Sequence, residues 1–171
     1  MKTLFYSMLF SAMIVFFTFS CNHQNEIPDP SGISGSIINN SACKIFKFGE
    51  LKFTEADTFS CVHYLYDDSV HKLIMTHINA GFNCCPLEIY CEISTIGDSI
   101  IITELEKEQG CNCNCLFDLD IELQGVEANK YMVRFVEPYV EGQAKLIFEM
   151  DLTSGYEGEY CVIRKGYPWG E

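Results

Sequence analysis

The stretch CNCNCLFDLDIEL, residues 111–123, decides the fold. Its odd positions carry cysteine or large apolar side chains, and its even positions are mostly polar. Alternate side chains of a β-strand point to opposite faces, so this pattern predicts a strand with one apolar, sulfur-rich face. We expect this segment to be the central core strand of a β-domain that disulfide bonds stabilise.

Short alternating segments separated by turn-forming residues continue on both sides of this stretch. Residues 61–66 and 71–78 flank the turn-forming sequence DDSV, which predicts a β-hairpin with Tyr66 opposite His71. The whole chain has eight or nine such segments and no helical period beyond its first 20 residues. This spacing predicts an all-β fold, a single antiparallel β-sandwich. Residues 125–133 resemble the turn and aromatic strand start of immunoglobulin-like domains, which implies an immunoglobulin-like sandwich.

The first 20 residues differ in composition from the rest of the chain. Lys2 precedes an apolar run over residues 4–19, and Ser20 then precedes Cys21. This arrangement resembles a bacterial lipoprotein signal peptide, in which a cysteine that follows a small residue is acylated and becomes the new N-terminus. The resemblance implies that residues 1–20 are a signal peptide and that Cys21 carries the lipid of a membrane anchor.

The segment after this cysteine supports an anchor. Residues 21–36 are mostly polar and contain two prolines and two glycines, a composition that predicts a flexible tether. The tether leaves residues 37–171 as the β-sandwich domain. We expect the protein in the bacterial cell envelope, in the outer membrane and facing the periplasm or the cell surface. A plain secretory signal with cleavage nearby is the alternative.

Ten cysteines are present, and nine remain if Cys21 is acylated. Outside the cytoplasm we expect them to form structural disulfide bonds. Side chains two positions apart on a strand run parallel at roughly 6.6 Å, so the three cysteines at 111–115 should bond to other segments. We expect two bonds between residues 84–91 and 111–115. The disulfide candidates are Cys43, Cys61, Cys84, Cys85, Cys91, Cys111, Cys113, Cys115 and Cys161.

The same cysteines allow a second interpretation. Closely spaced thiolates suit zinc, copper(I) or an iron–sulfur cluster. The alternative function is therefore a metal-binding or thiol-redox protein that uses the cysteines at 84, 85, 91 and 111–115. The chain has no C-x-x-C spacing, which structural zinc sites commonly use, so we expect no metal and no cofactor.

Other polar and aromatic groups suggest further sites. Asp118, Asp120 and Glu122 form an acidic stripe on the polar face of the central strand, where calcium binding is an open question against a solvated face. The hairpin register places His63 and His71 on opposite faces, so the chain's histidines are not expected to form a metal site.

Aromatic residues cluster near the C-terminus. On a loop at a sandwich end they bind sugars or peptides by stacking, or they close the end of the core. The ligand-contact candidates are Tyr156, Tyr160, Tyr167 and Trp169.

Net charge and missing motifs limit the function classes. A formal charge of -13 makes the surface repel nucleic acid. No nucleophile motif or phosphate-binding loop is present, so we expect no enzyme activity. The layout resembles small cysteine-containing bacterial envelope lipoproteins of unknown function. That resemblance implies a non-enzymatic binding or interaction module, whose partners are the membrane, through its lipid anchor, and a protein or glycan ligand.

Overall fold

A computed structural model of the protein describes residues 32–44, 59–107 and 111–165. These residues contain nine strands and no helix. In chain order the strands are β1 (Ser34–Asn40), β2 (Phe59–Asp67), β3 (Lys72–Asn83), β4 (Glu88–Ile96), β5 (Ser99–Lys107), β6 (Asn114–Gln124), β7 (Lys130–Val136), β8 (Ile147–Asp151) and β9 (Glu157–Ile163).

The strands form two sheets with one hydrophobic core between them. Sheet A has the order β1-β6-β3-β2-β9, and sheet B has the order β4-β5-β7-β8. Buried apolar side chains from both sheets belong to a single cluster. The prediction of an all-β sandwich is confirmed. One pair departs from the predicted antiparallel arrangement, because β5 and β7 are parallel. The chain crosses to sheet A as β6 between them, and parallel neighbours require such a crossover.

Residues 111–123 were predicted to form the central core strand; β6 is an interior core strand next to the edge strand β1, and the middle position of the sheet belongs to β3. This strand lies between β1 and β3, and its core-facing residues are no more than 4% exposed. The strand begins at Asn114, so the first two cysteines of the stretch precede it. The core-facing residues are Cys115, Phe117, Leu119, Ile121 and Leu123.

The predicted β2–β3 hairpin forms, but its predicted register is wrong by two residues. Tyr66 lies opposite Leu73 and not His71, which belongs to the turn. His71 has a φ of 52°, a left-handed conformation that the sequence did not indicate. A shift of two residues keeps every side chain on its predicted face.

The predicted tether extends too far toward the C-terminus. Strand β1 starts at Ser34, and Ile33 before it is buried, so the last residues of 21–36 belong to the sheet. A Cβ atom on Gly35 would lie 2.4 Å from the carbonyl oxygen of Glu122, so only glycine allows β1 to approach β6 this closely. The predicted signal peptide and Cys21 lie outside the described residues. Within the part that the structure describes, no helix has the length and apolar character needed to cross a membrane.

Candidate functional site

A polar network lies inside the core between the two sheets, where sequence analysis predicted only apolar side chains. Its members are at most 5% exposed. His77 continues the inward series of β3, and Glu104 continues the inward series of β5. A charged residue at an inward position of an otherwise apolar series therefore indicated a buried polar group, and it could be recognised from the sequence. The five members are Ser60, His77, Glu104, Glu137 and Arg164.

Hydrogen bonds connect these side chains across the sandwich. The Nδ1 atom of His77 is 2.7 Å from Oε1 of Glu104, and its Nε2 atom is 2.9 Å from Oγ of Ser60. The Nη2 atom of Arg164 donates to both carboxylate oxygens of Glu137, at 3.0 and 2.7 Å. The two halves of the network meet where Nε2 of His77 lies 3.8 Å from Oε1 of Glu137.

The pKa values of His77 and Glu104 are both raised. Burial alone would lower the pKa of His77, but the carboxylates of Glu104 and Glu137 outweigh it. Burial raises the pKa of Glu104, whose Oε2 atom has no hydrogen-bond partner among the described residues. Both shifts favour retention of a proton between these two side chains, which reduces the uncompensated negative charge that burial makes costly.

The series Ser60, His77 and Glu104 has the order of nucleophile, base and orienting carboxylate found in serine hydrolases. Each of these three side chains is at most 1% exposed, so a substrate carbonyl has no path to Ser60 in this conformation. The same geometry offers a nitrogen and two carboxylates within 4.8 Å of one another, as a metal site would. Both ring nitrogens of His77 already have hydrogen-bond partners, so we interpret the network as structural and proton-holding.

Eight cysteines form four close pairs, and the sulfur atoms lie near bonding distance in the pairs of Cys61, Cys43 and Cys84. Two pairs join residues 84–85 to residues 111–113, in the place predicted for two disulfide bonds. Three Cα–Cα distances lie in the range of about 4.4–6.8 Å that disulfides use. The pairs and their Cα–Cα distances are Cys43 and Cys115 at 5.8 Å, Cys84 and Cys113 at 5.5 Å, Cys85 and Cys111 at 6.0 Å, and Cys61 and Cys161 at 4.1 Å.

Cys91 does not fit its predicted place among the disulfide partners. No other cysteine of the described residues pairs with it. Its side chain is partly buried on β4. Burial, with a smaller contribution from Glu104, raises the pKa of this thiol to about 11. A thiol with so high a pKa is a poor nucleophile at neutral pH, so we expect Cys91 to react slowly there.

Six of the paired cysteines form one continuous group, which we call the sulfur cluster. The sulfur atoms of Cys43, Cys84 and Cys115 lie within 4.8 Å of one another. The other three sulfur atoms, those of residues 85, 111 and 113, also lie within 4.8 Å of one another. The pair of Cys84 and Cys113 links the two groups. The sulfur cluster supports three disulfide bonds, or, when reduced, two sites with three thiolates each.

The acidic stripe is held by protein partners. Lys44 donates to Asp118 at 2.6 Å, and Lys72 lies 3.5 Å from Glu122. Asp120 accepts a hydrogen bond of 2.9 Å from a threonine of β3. The stripe is therefore a hydrogen-bonded face of sheet A, and nothing in these contacts calls for calcium.

The three histidines of the described residues lie apart. His77 is buried in the polar network, whereas the side chains of His63 and His71 are about half exposed, at 49% and 50%. The structure places His63 on the outer face of sheet A and His71 in the hairpin turn.

Two of the four aromatic ligand candidates belong to the described residues. The ring of Tyr160 stacks on Phe148 with centroids 4.9 Å apart and packs against the core. Tyr156 is 53% exposed and meets Tyr66 edge to face at 5.7 Å. Tyr160 therefore closes the side of the core, and Tyr156 alone keeps a surface available to a ligand. Positions 167 and 169 lie outside the described residues.

Comparison with protein-family models, with curated proteins and with solved structures finds no match in any of the three. The chain is therefore described by its own fold and polar groups. It is an all-β protein with two facing sheets, a polar network in its core and a sulfur cluster formed by residues from three segments.

Proposed function

We propose that this chain is a non-enzymatic binding or interaction module of the bacterial envelope, held at the membrane by a lipid on Cys21 and stabilised by disulfide bonds. The observation that carries the interaction role is an apolar surface on the outer face of sheet B, which we call the sheet B patch. It consists of Ile101, Leu105, Met132, Val136 and Ile147.

The sheet B patch departs from the usual composition of an outer sheet face. Met132, Val136 and Ile147 are 44%, 36% and 39% exposed, and Ile101 and Leu105 on β5 are half-buried. The solvated face of a two-sheet fold normally carries polar side chains. Neighbouring exposed apolar residues on such a face are typical of interaction surfaces.

The charges around this patch also favour an interface. Arg134 lies opposite Ile147 in the register of β7 and β8, in the middle of the apolar side chains. Arginine and methionine are enriched in protein interfaces. One glutamate, the exposed Glu149, lies opposite Met132 at the border of the patch. The outer face of sheet A, in contrast, carries the acidic stripe. The two faces therefore differ in chemistry, and sheet B is the better surface for a protein partner.

The test of the interaction role uses two variants of the full chain in the envelope of cells that make it. Met132→Glu with Val136→Glu places two charges in the sheet B patch, and Leu65→Glu places one charge on the outer face of sheet A, where Leu65 is 58% exposed. In cross-linking of intact cells we expect a discrete adduct for the wild type and Leu65→Glu, and its loss in the double variant. Survival of the adduct in the double variant contradicts the proposal, as does its absence from the wild type.

The test of the anchor uses Cys21→Ser. We expect the wild type to fractionate with membranes and to carry the mass of a lipid on its first residue after cleavage. The serine variant should be recovered in the soluble fraction, because serine cannot form the thioether. Equal fractionation of the two proteins contradicts lipidation at Cys21.

A second function is favoured by the sulfur cluster, whose six sulfur atoms form one continuous group. Reduced, such a cluster has the ligands that zinc or copper(I) prefers. Alkylation of the unfolded protein before and after reduction, followed by mass spectrometry, distinguishes a structural disulfide role of the sulfur cluster from a metal-binding role. Four disulfide bonds in protein isolated from the envelope support the structural role. Free thiols at the cluster that retain zinc or copper support a metal-binding protein.

A further inference from the structure

Four potential metal ligands that do not belong to the sulfur cluster form a square on the outer face of sheet A. Cys61 and His63 lie on β2, and Glu159 and Cys161 lie on the neighbouring edge strand β9. In the register, Cys61 is opposite Cys161, and His63 is opposite Glu159. Residues two apart on a strand share a face, so all four side chains leave the sheet on the same side.

Three of the four ligand atoms converge. One sulfur from each cysteine and a carboxylate oxygen of Glu159 lie within 4.8 Å of one another, and Sγ of Cys161 is 2.9 Å from Oε1 of Glu159. His63 adjoins this group of three at the carboxylate, where its Nε2 atom is 3.5 Å from Oε1 of Glu159. Ligand atoms of a tetrahedral zinc site with bonds of about 2.0–2.3 Å are roughly 3.3–3.8 Å apart. The three converging atoms are therefore within reach of one zinc ion, and His63 has to turn toward them to become the fourth ligand.

The sulfur of Cys161 has two close neighbours, the sulfur of Cys61 at bonding distance and the carboxylate of Glu159 at 2.9 Å. A disulfide sulfur has no proton to donate, so the carboxylate is a neighbour of the disulfide and not the acceptor of its hydrogen bond. Reduction of the disulfide would place two thiols and a carboxylate within 4.8 Å of one another, with the imidazole of His63 beside the carboxylate.

We propose that the reduced form of this square binds one Zn²⁺ ion through Cys61, His63, Glu159 and Cys161. Zinc accepts this mixture of sulfur, nitrogen and oxygen ligands. Each thiol releases its proton to water when its sulfur binds zinc, and no electrons are transferred. Opening the disulfide beforehand requires a dithiol reductant, whose own two sulfurs become the disulfide. The oxidised form has no thiolates and does not bind zinc here. This inference is independent of the sheet B patch.

The test measures protection of two cysteines in the purified full chain. The protein is reduced with a dithiol, freed of it under nitrogen, and alkylated with iodoacetamide at increasing Zn²⁺ concentrations. Peptide mass spectrometry then gives the alkylation rate of Cys61 and Cys161 separately from that of the sulfur cluster. We expect zinc to slow both rates in the wild type and a chelator to restore them.

Substitutions identify the other two ligands. In His63→Ala and in Glu159→Gln we expect half-maximal protection of Cys61 and Cys161 to require at least about 10–100 times more zinc than in the wild type. Loss of a side chain that only supports a metal ligand already lowers metal affinity by this factor. The matched controls are His71→Ala and Glu127→Gln, which change the other exposed histidine–glutamate pair, at 3.8 Å. In these controls, zinc should protect Cys61 and Cys161 at the same concentration as in the wild type.

Two results overturn the proposal. One is the absence of zinc protection at Cys61 and Cys161 in the reduced wild type, a measurement that needs no substitution and no assumption about the folding of a variant. The other is equal protection in His63→Ala, Glu159→Gln and the controls, which would mean that the two sulfurs bind zinc without the histidine and the carboxylate.

Discussion

Arg164→Met tests whether the polar network is held together by charge balance. The guanidinium of Arg164 is 2% exposed and donates to both oxygens of Glu137, whose side chain is fully buried. Methionine keeps the apolar stem but leaves the Glu137 carboxylate without its cation. At a charge separation of about 4 Å and an effective dielectric constant of about 20, the lost attraction is roughly 4 kcal/mol. Breaking one side of a buried ion pair costs about 3–5 kcal/mol.

The assay is equilibrium unfolding in urea, followed by circular dichroism without reductant. For an m-value of about 2 kcal/mol per M, the expected loss moves the unfolding midpoint of Arg164→Met down by roughly 2 M. Arg134→Met is the matched control, because this exposed arginine should change stability by no more than about 0.5 kcal/mol.

A second variant separates the charge from the packing. Arg164→Met combined with Glu137→Met removes both charges, and apolar replacement of a buried ion pair is often neutral. We expect the double variant to recover most of the stability that Arg164→Met loses. The reasoning is refuted if the double variant is as unstable as the single one, or if Arg164→Met loses less than about 1 kcal/mol.

Three further predictions concern protonation, strand approach and thiol reactivity. The raised pKa values of His77 and Glu104 mean that the folded state holds protons that the unfolded state releases, so urea midpoints should fall as pH rises above about 4.5 because of Glu104 and above about 6.5 because of His77, the ordinary values of the two groups. Gly35→Ala should cost about 1–3 kcal/mol in thermal unfolding, because its Cβ meets β6, whereas Gly155→Ala should be near neutral. Alkylation of Cys91 in the native protein should be slow at neutral pH and accelerate toward pH 11.

Each of these has a contrary outcome. The pH dependence must weaken in a variant with His77→Gln and Glu104→Gln, and an unchanged slope would assign it to surface charge instead. A Gly35→Ala protein as stable as Gly155→Ala would show that β1 can move away from β6 at little cost. Rapid alkylation of Cys91 at neutral pH would show that its thiol is not held in the core.

The alternation of apolar and polar residues in β6 could be recognised from the sequence, because it depends only on the direction of successive side chains within one strand. Side chains at 115, 117, 119, 121 and 123 point inward in any sheet that buries one face of this strand. The same rule separated His63 from the core side of β2, even though the predicted hairpin register was wrong by two residues. The register depends on the conformation of the turn, where His71 adopts a positive φ that its residue type does not announce.

The candidate sites depend on contacts that no local pattern contains. His77 and Glu104 each follow an apolar inward series, and their positions alone marked them as buried. Their pairing with each other, and their link through Glu137 to Arg164 from the far end of the chain, required both sheets to be in place. Likewise, the sequence predicted that 84–91 and 111–115 would be joined, but not that Cys43 would complete the sulfur cluster while Cys91 stayed apart.

The sequence by itself determined the strand class, the inward face of each long strand and the all-β sandwich, because these follow from a period of two and from the spacing of turns. Only the tertiary structure decided which strands are neighbours, and with it the parallel pairing of β5 with β7 and the square of Cys61, His63, Glu159 and Cys161. The physical reason is that side-chain direction is a property of one strand, whereas adjacency results from burying all inward faces at once.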